Sequence, residues 1–212
     1  MNLKQTITAL LSIMIFSSCT FSVKTEKTSN QTEMPQTDKN ISFPMETGFT
    51  DEYIIENFWK GGYDSAGDSL AYFTILPKNM KAVKLEPTLI EGTTLFNIGQ
   101  FERIDDSPYL EAWVLVECDV QENIEPADWL RNWLIASGET IVHEQEETST
   151  SGSKFLDVLT TQTENGDTFI SRSTVHRRGQ NYFFMKVSCS ANVYEALAKT
   201  IRHISGSWEI KR

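Results

Sequence analysis

The sequence predicts an α+β fold: a central, mostly antiparallel sheet of about six to seven strands with two main helices layered on its faces. Three observations carry that expectation. From about residue 70 onward, short apolar stretches alternate with period two and are joined by hairpin-length links. Two segments switch to helical period, one in mid-chain and one near the C-terminus. Finally, 12 Phe, 6 Tyr and 5 Trp among 212 residues are core material that a disordered chain lacks.

The N-terminus reads as an address label. Lys4 is followed by the apolar run Ile7–Phe16, which at roughly 1.5 Å per residue reaches about half of a hydrocarbon core. That order of basic, apolar and small residues belongs to a secretory signal. Phe16-Ser17-Ser18-Cys19 resembles a bacterial lipobox, departing from it at Phe16, where Leu is usual. The resemblance implies a signal peptide over residues 1–18 and several acyl chains, palmitate among them, on Cys19, which anchor stably where a single chain does not. The alternative is an ordinary signal peptide with Cys19 incidental. Thr20, rather than Asp, after the Cys favours the periplasmic face of the outer membrane by analogy with enteric lipoprotein sorting.

Residues 19–41 then read as the lipidated Cys and a flexible tether. Eleven of the 21 residues from 20 to 40 are Thr, Ser, Asn or Gln, too polar to offset the entropy of ordering. Residues 42–212 read as one globular domain, and about 170 residues suffice for a single core.

Within that domain Leu70–Leu76 is strand-like and stops at Pro77. Leu95–Ile104 is a second strand, with Gly99 inside it. In Glu111–Val120 the residues Ala112, Val114, Val116, Cys118 and Val120 share one face, and Trp113 and Leu115 the other. Apolar residues on both faces mark a central strand. Trp129, Leu130, Trp133 and Leu134 form a helix face between Pro126 and Gly138, residues suited to its two ends. Strands follow at Thr140–Gln145, Lys154–Thr161 and Thr168–His176. The last turns through Arg177-Arg178-Gly179-Gln180 into Asn181–Ser188. A final helix spans about Val193–Ile204, with Asn192 as its N-cap and Lys199, Arg202 and His203 near the negative end of its dipole. Trp208-Glu209-Ile210 adds a short last strand.

The run Phe73-x-Ile75-Leu76-Pro77, the strand Trp113–Val116, the helix start Asp128-Trp129-Leu130, the hairpin leading into Tyr182-Phe183-Phe184 and the ending Ile204-Ser205-Gly206-Ser207-Trp208 together resemble the PsbP-like superfamily. This superfamily includes photosystem oxygen-evolution subunits, a Ran-binding import factor and DcrB-like envelope proteins. The likeness covers roughly residues 68–212. It implies an α/β/α sandwich around that antiparallel sheet and a role in binding and assembly, and carries over no catalytic residue.

The chemistry-bearing candidates are few. Ser151-Gly152-Ser153-Lys154 has the Ser-x-x-Lys spacing, but it sits in a polar loop and the chain has no Lys-Thr-Gly. His143 and Glu147 share a strand face, making an incomplete metal site, with a solvated acidic edge as the alternative. Asp105-Asp106 reads as a turn. His176-Arg177-Arg178 forms a cationic hairpin tip on an acidic protein and is a candidate contact for an acidic partner. Cys118 and Cys189 lie near strand ends, and an oxidising compartment permits a disulfide between them. If their strands are antiparallel neighbours, however, the thiols fall at opposite edges.

A net charge of −10, deepening to −11 once residues 1–18 are removed, excludes nucleic acid as the main partner. The sequence thus points to a non-enzymatic envelope lipoprotein, anchored through Cys19, whose domain binds a protein partner or supports assembly without a cofactor. A small-ligand-binding module is the alternative, and a hydrolase or metal-dependent envelope enzyme the remaining one.

Overall fold

The period-two stretches become strands and the two helical faces become helices in the computed structural model, which describes residues 48–64, 69–105, 108–120, 124–148 and 154–210. The signal peptide, Cys19 and the tether lie outside these residues, as do Ser151–Ser153. In chain order the elements are α1 (Asp51–Asn57), β1 (Phe58–Tyr63), β2 (Tyr72–Pro77), β3 (Met80–Lys84), β4 (Thr88–Leu89), β5 (Leu95–Arg103) and β6 (Leu110–Glu117). Then come α2 (Pro126–Ala136), β7 (Thr140–Thr148), β8 (Lys154–Glu164), β9 (Asp167–Arg178), β10 (Asn181–Ser190), α3 (Tyr194–Gly206) and β11 (Glu209–Ile210).

Eight strands form the main sheet, in the order β3-β5-β6-β10-β9-β8-β7 with β4 against β5, and every pairing is antiparallel. The doubly apolar β6 sits inside this sheet between β5 and β10, with Val114 opposite Met185. Gly179, at φ 62°, makes the tight turn from β9 into β10, where Arg178 pairs with Asn181.

Both faces of the sheet are covered, by different means. One carries Ala112, Val114, Phe183, Met185 and Val187 against Ile201 and Ile204 of α3. The other carries Leu115, Val158, Val175 and Phe184 against Trp129, Leu130 and Leu134 of α2.

Two expectations are corrected. The sheet has eight strands rather than six to seven, because the short β3 and β4 extend its edge. The layers are not an α/β/α sandwich either. A separate three-stranded sheet, β1-β2-β11, packs Tyr72 and Leu76 into the same core as α3, so that side is part sheet and part helix.

The ends of α3 also differ from expectation. A 3₁₀ turn occupies Ala191–Val193, so Asn192 lies inside that turn and Val193 takes the cap position without a side-chain bond. His203 is packed between Phe49 and Phe58, at 5.6 and 4.8 Å between ring centroids. Burial pushes its pKa down, so it is not a charge on the helix dipole.

Candidate functional site

The site follows from a mismatch of lengths. Helix α2 has 11 residues and spans about 16 Å, whereas β9 has 12 and spans about 40 Å. The helix therefore covers only the end of the face bearing Leu115, Val158, Val175 and Phe184. Beyond it an open cleft of ≈ 290 Å³ remains, with a floor contributed by β6, β8, β9 and β10.

The register places the lining residues. Lys186 stands opposite Trp113, Ser188 opposite both Glu111 and Ser171, and Gln162 opposite Phe169, all on the α2 side of the sheet. Tyr109, Trp113, Trp133 and Phe169 supply aromatic surface. Tyr109 and Phe169 meet edge to face at 5.3 Å, and Trp133 leans on Phe184 at 4.6 Å.

Polar groups hold those walls in place. The Tyr109 hydroxyl and the Trp113 Nε1–H both donate to Glu111 Oε2, each at 2.9 Å. Burial, and then the Glu111 carboxylate, push the Tyr109 phenol up, so it remains a donor. The Ser171 and Ser188 hydroxyls are 2.7 Å apart on the floor.

The end of α2 places the last member of the group. Gly138, at φ 81°, ends the helix, its N–H donating to Ile135 O and that of Glu139 to Leu134 O. This turns the buried Glu139 side chain inward, where it accepts from Lys186 Nζ at 2.6 Å and from Thr160 Oγ1 at 2.5 Å. None of His143, His176 and His203 lines the cleft.

The residues singled out in the sequence lie elsewhere. Cys189 pairs with Leu110 in the β10–β6 register, while Cys118 follows Glu117, which pairs with Tyr182. Seven or more residues at about 3.4 Å each separate them, far beyond disulfide reach, and both thiols are free. The permitted disulfide is thereby corrected. Burial pushes the Cys189 thiol up to about 12.

The cationic hairpin is corrected in part. His176 is not at an exposed tip: its ring packs against Phe155 at 5.2 Å and Trp208 at 4.8 Å, and burial lowers its pKa to about 4, leaving it neutral. Arg177 is exposed, donating to Gly179 O and lying 5.5 Å from the Tyr182 ring, and Arg178 donates to Ser69 O. His143 is exposed on β7, and Arg202 takes the Glu147 carboxylate. Burial works to raise Glu147, but the Arg202 guanidinium outweighs it and holds it below the usual carboxylate range. Among the described residues no group of three or more His, Cys, Asp or Glu is placed to hold a metal ion.

A buried ionic cluster on the α3 side escaped the sequence reading. Arg172 Nε donates to both Asp157 oxygens, at 2.9 and 3.2 Å, and Arg202 Nη1 reaches Asp157 Oδ2 at 2.8 Å. The side chains of Asp157 and Arg172 are both 0% exposed. The available signal was a lone charge inside each of two apolar strands, FLDVL and FISRS. The cluster ties β7, β8 and β9 to α3, with Asp157 and Arg172 sealed inside and Arg202 and Glu147 reaching the surface.

An antiparallel α+β domain with an open aromatic cleft is thus what the chain presents. No protein-family model matches it, and no curated protein does. Among solved structures, the cyanobacterial PsbP (CyanoP) of Synechocystis superposes with TM-score 0.52 at 8% identity, over 73% of this chain and 93% of that one. The chain therefore has a PsbP-like fold. LpqN of Mycobacterium tuberculosis, described as involved in cell envelope biogenesis, gives TM-score 0.45 at 14% identity, over 79% of this chain and 100% of that one. The Ran-binding protein Mog1p of Saccharomyces cerevisiae gives 0.47 at 8%, over 72% and 96%. No helix among the described residues is long and apolar enough to cross a membrane.

Proposed function

We propose that the chain is a non-enzymatic cell-envelope lipoprotein whose domain, residues 42–212, binds a protein partner through the aromatic cleft. The signal peptide is residues 1–18, the lipid is carried on Cys19, and residues 19–41 tether the domain to the periplasmic face of the outer membrane. The observation that carries the binding role is the cleft itself: four aromatic side chains, two of them braced by Glu111, around a floor with two hydroxyls, open to solvent. Aromatic side chains on a rigid floor are the usual anchors of a protein interface. The cleft offers aromatic and hydrogen-bonding surface for recognition, and its one ammonium, Lys186, is spent on Glu139. The hydroxyl floor of Ser171 and Ser188 favours a second reading, a small-molecule ligand held by hydrogen bonds.

Tyr109 is 36% exposed at the rim, so truncating it leaves the core intact. Tyr109→Ala is expected to weaken the partner about tenfold or more, a hot-spot loss of roughly 1.5–2 kcal/mol. Crosslinking and pull-down of the full chain from envelopes checks this, with Lys81→Ala as a distant control. A crosslinked band equally strong in wild type, Tyr109→Ala and the control would remove the cleft from the proposal. A co-purifying small molecule in native mass spectrometry would instead favour the second reading.

The anchor has its own test. Cys19→Ser is expected to move the protein from the membrane to the soluble fraction, because the two or more acyl chains that hold it can no longer be attached. If Cys19→Ser stays in the membrane pellet, the lipoprotein assignment fails.

A further inference from the structure

The aromatic cleft carries a negative charge that its own walls do not neutralise. Glu111 and Glu164 line it, and among the described residues its one lining cation is Lys186. The Lys186 ammonium is already matched by the buried Glu139 carboxylate at 2.6 Å, so both lining carboxylates remain uncompensated. Glu111 Oε2 takes the Tyr109 hydroxyl and the Trp113 Nε1–H, whereas Oε1 accepts from no described residue. Glu164 stands two residues beyond Gln162 on the same face of β8, exposed, and no described residue forms an ion pair with it. Asp167, opposite Glu164 across the hairpin and also exposed, adds a third carboxylate to that rim.

The rings favour the same sign of ligand. An aromatic face is the negative lobe of a quadrupole, so rings set beside carboxylates attract positive charge. The chain's own cation–ring contacts lie elsewhere, with Lys60 over Phe73, Arg177 near Tyr182 and Lys199 over Phe49. Among the described residues no cation covers Tyr109, Trp113, Trp133 or Phe169. After burial and Glu111, the Glu164 charge also helps push the Tyr109 phenol up, so both carboxylates lie within electrostatic reach of one ring.

We propose that the group this cleft recognises is a cationic side chain, an arginine or lysine presented by the protein partner, seated against the rings with its charge answered by Glu111 and Glu164. This rests on the cleft being the partner-binding site and adds the chemistry of what enters it. The long stems of Arg and Lys suit the apolar wall of Ile90 and Leu115 while the charged head meets a carboxylate. A guanidinium can also stack on a ring, whereas an ammonium offers a point charge. The net charge of −10 draws a basic partner from a distance, so binding should weaken as salt rises.

The test is an NMR titration of the full chain with acetyl-Gly-Xaa-Gly-amide peptides in which Xaa is arginine, lysine, citrulline or glutamate. Citrulline keeps the shape of arginine without its charge. The proposal expects saturable shifts of the Trp113 indole N–H and the Tyr109 and Phe169 amides with the arginine or lysine peptide. The citrulline peptide should bind about tenfold more weakly or worse, and the glutamate peptide should give no saturable shift. Glu164→Gln should weaken the cationic peptides about threefold, as for an exposed pair. Glu111→Gln, which keeps an acceptor for Tyr109 and Trp113, should weaken them about tenfold. Glu195→Gln, exposed on α3 against the other face of the sheet, should bind as wild type does. Citrulline binding as well as arginine, affinity unchanged in the Glu111→Gln/Glu164→Gln double variant, or no saturable shift with either cationic peptide overturns the proposal. The Tyr109→Ala crosslinking judges the cleft separately. A partner lost there but indifferent to Glu111→Gln and Glu164→Gln keeps the cleft and removes the cation, whereas crosslinking indifferent to Tyr109→Ala removes the cleft itself. Glu164 is exposed, so its variant remains informative even if Glu111→Gln folds poorly.

Discussion

Asp157→Ala is expected to lower the unfolding free energy by about 3–5 kcal/mol, the range for removing one partner of a buried ion pair. The carboxylate is fully buried and accepts from Arg172 Nε and Nη2, side by side, and from Arg202 Nη1. Without it, Arg172 remains in a site with no solvent access, and its positive charge has lost the bidentate partner that offset its desolvation. Arg202 retains Glu147, bonded through Nη2 at 2.8 Å, so the damage centres on Arg172. For a chain of this size such a loss lowers the melting temperature by about 10 °C or more. Chemical denaturation of the full chain reads it as a lower midpoint at unchanged slope. The double variant Asp157→Leu/Arg172→Met separates a pairing effect from simple loss of packing. Replacing both charges with apolar groups of similar volume is often neutral, so the double variant should regain most of what Asp157→Ala loses. A cost below about 1 kcal/mol for Asp157→Ala would mean that water reaches Arg172.

The cluster also shows why some of this molecule was legible in its sequence and some was not. Elements defined by local pattern were readable. The apolar residues on both faces of Glu111–Val120 predict the interior strand that β6 proves to be, and Pro126 and Gly138 do bracket α2. The elements missed are those with little local pattern. Helix α1 is seven residues long, β1 contains Gly61 and Gly62, and β3 is a short edge strand with two Lys in five residues. One missed signal was present: Asn165-Gly166, at φ 52° and 91°, closes the β8–β9 hairpin and lengthens both strands beyond their expected ends.

Burial and convergence were harder to read because residues distant in sequence decide them. His176 is neutral on account of its burial against Phe155 and Trp208, and His203 is held edge-on by Phe49 and Phe58. Both cysteine-bearing strands were recognisable, but whether the thiols meet depends on β6 and β10 being antiparallel neighbours, a non-local fact. The aromatic cleft is harder still. Its walls come from segments as far apart as Tyr109 and Phe169, and it exists only because α2 stops short of the strand ends. Aromatic content was countable in the sequence, whereas its convergence is a property of the sheet register.

Gly99→Ala is expected to cost about 2–4 kcal/mol, combining the strain of overpacking with a weakened buried hydrogen bond. A Cβ at this position would stand 1.7 Å from the Tyr72 hydroxyl oxygen and 2.7 Å from its ring carbon Cζ, closer than real atoms approach. Tyr72 has little room to yield. It is fully buried, its backbone is paired with Tyr63 on one side and Ile210 on the other, and its hydroxyl donates to Ile98 O at 3.2 Å. Nor can β5 easily move, since its register against β6 shifts between Asn97 and Gly99, and Asn97 Oδ1 accepts from the Gly99 N–H at 3.0 Å. The glycine is therefore where the three-stranded sheet is let down onto the main one. Gly99→Ala/Tyr72→Phe removes the atom that overlaps most but leaves Cζ too close and gives up the bond to Ile98 O, so it should recover only about half of the loss. Gly48→Ala, with nothing within 4 Å of the added carbon, should leave the unfolding midpoint unchanged. If Gly99→Ala also unfolds at the wild-type midpoint, the two sheets are less tightly seated than the 1.7 Å approach requires.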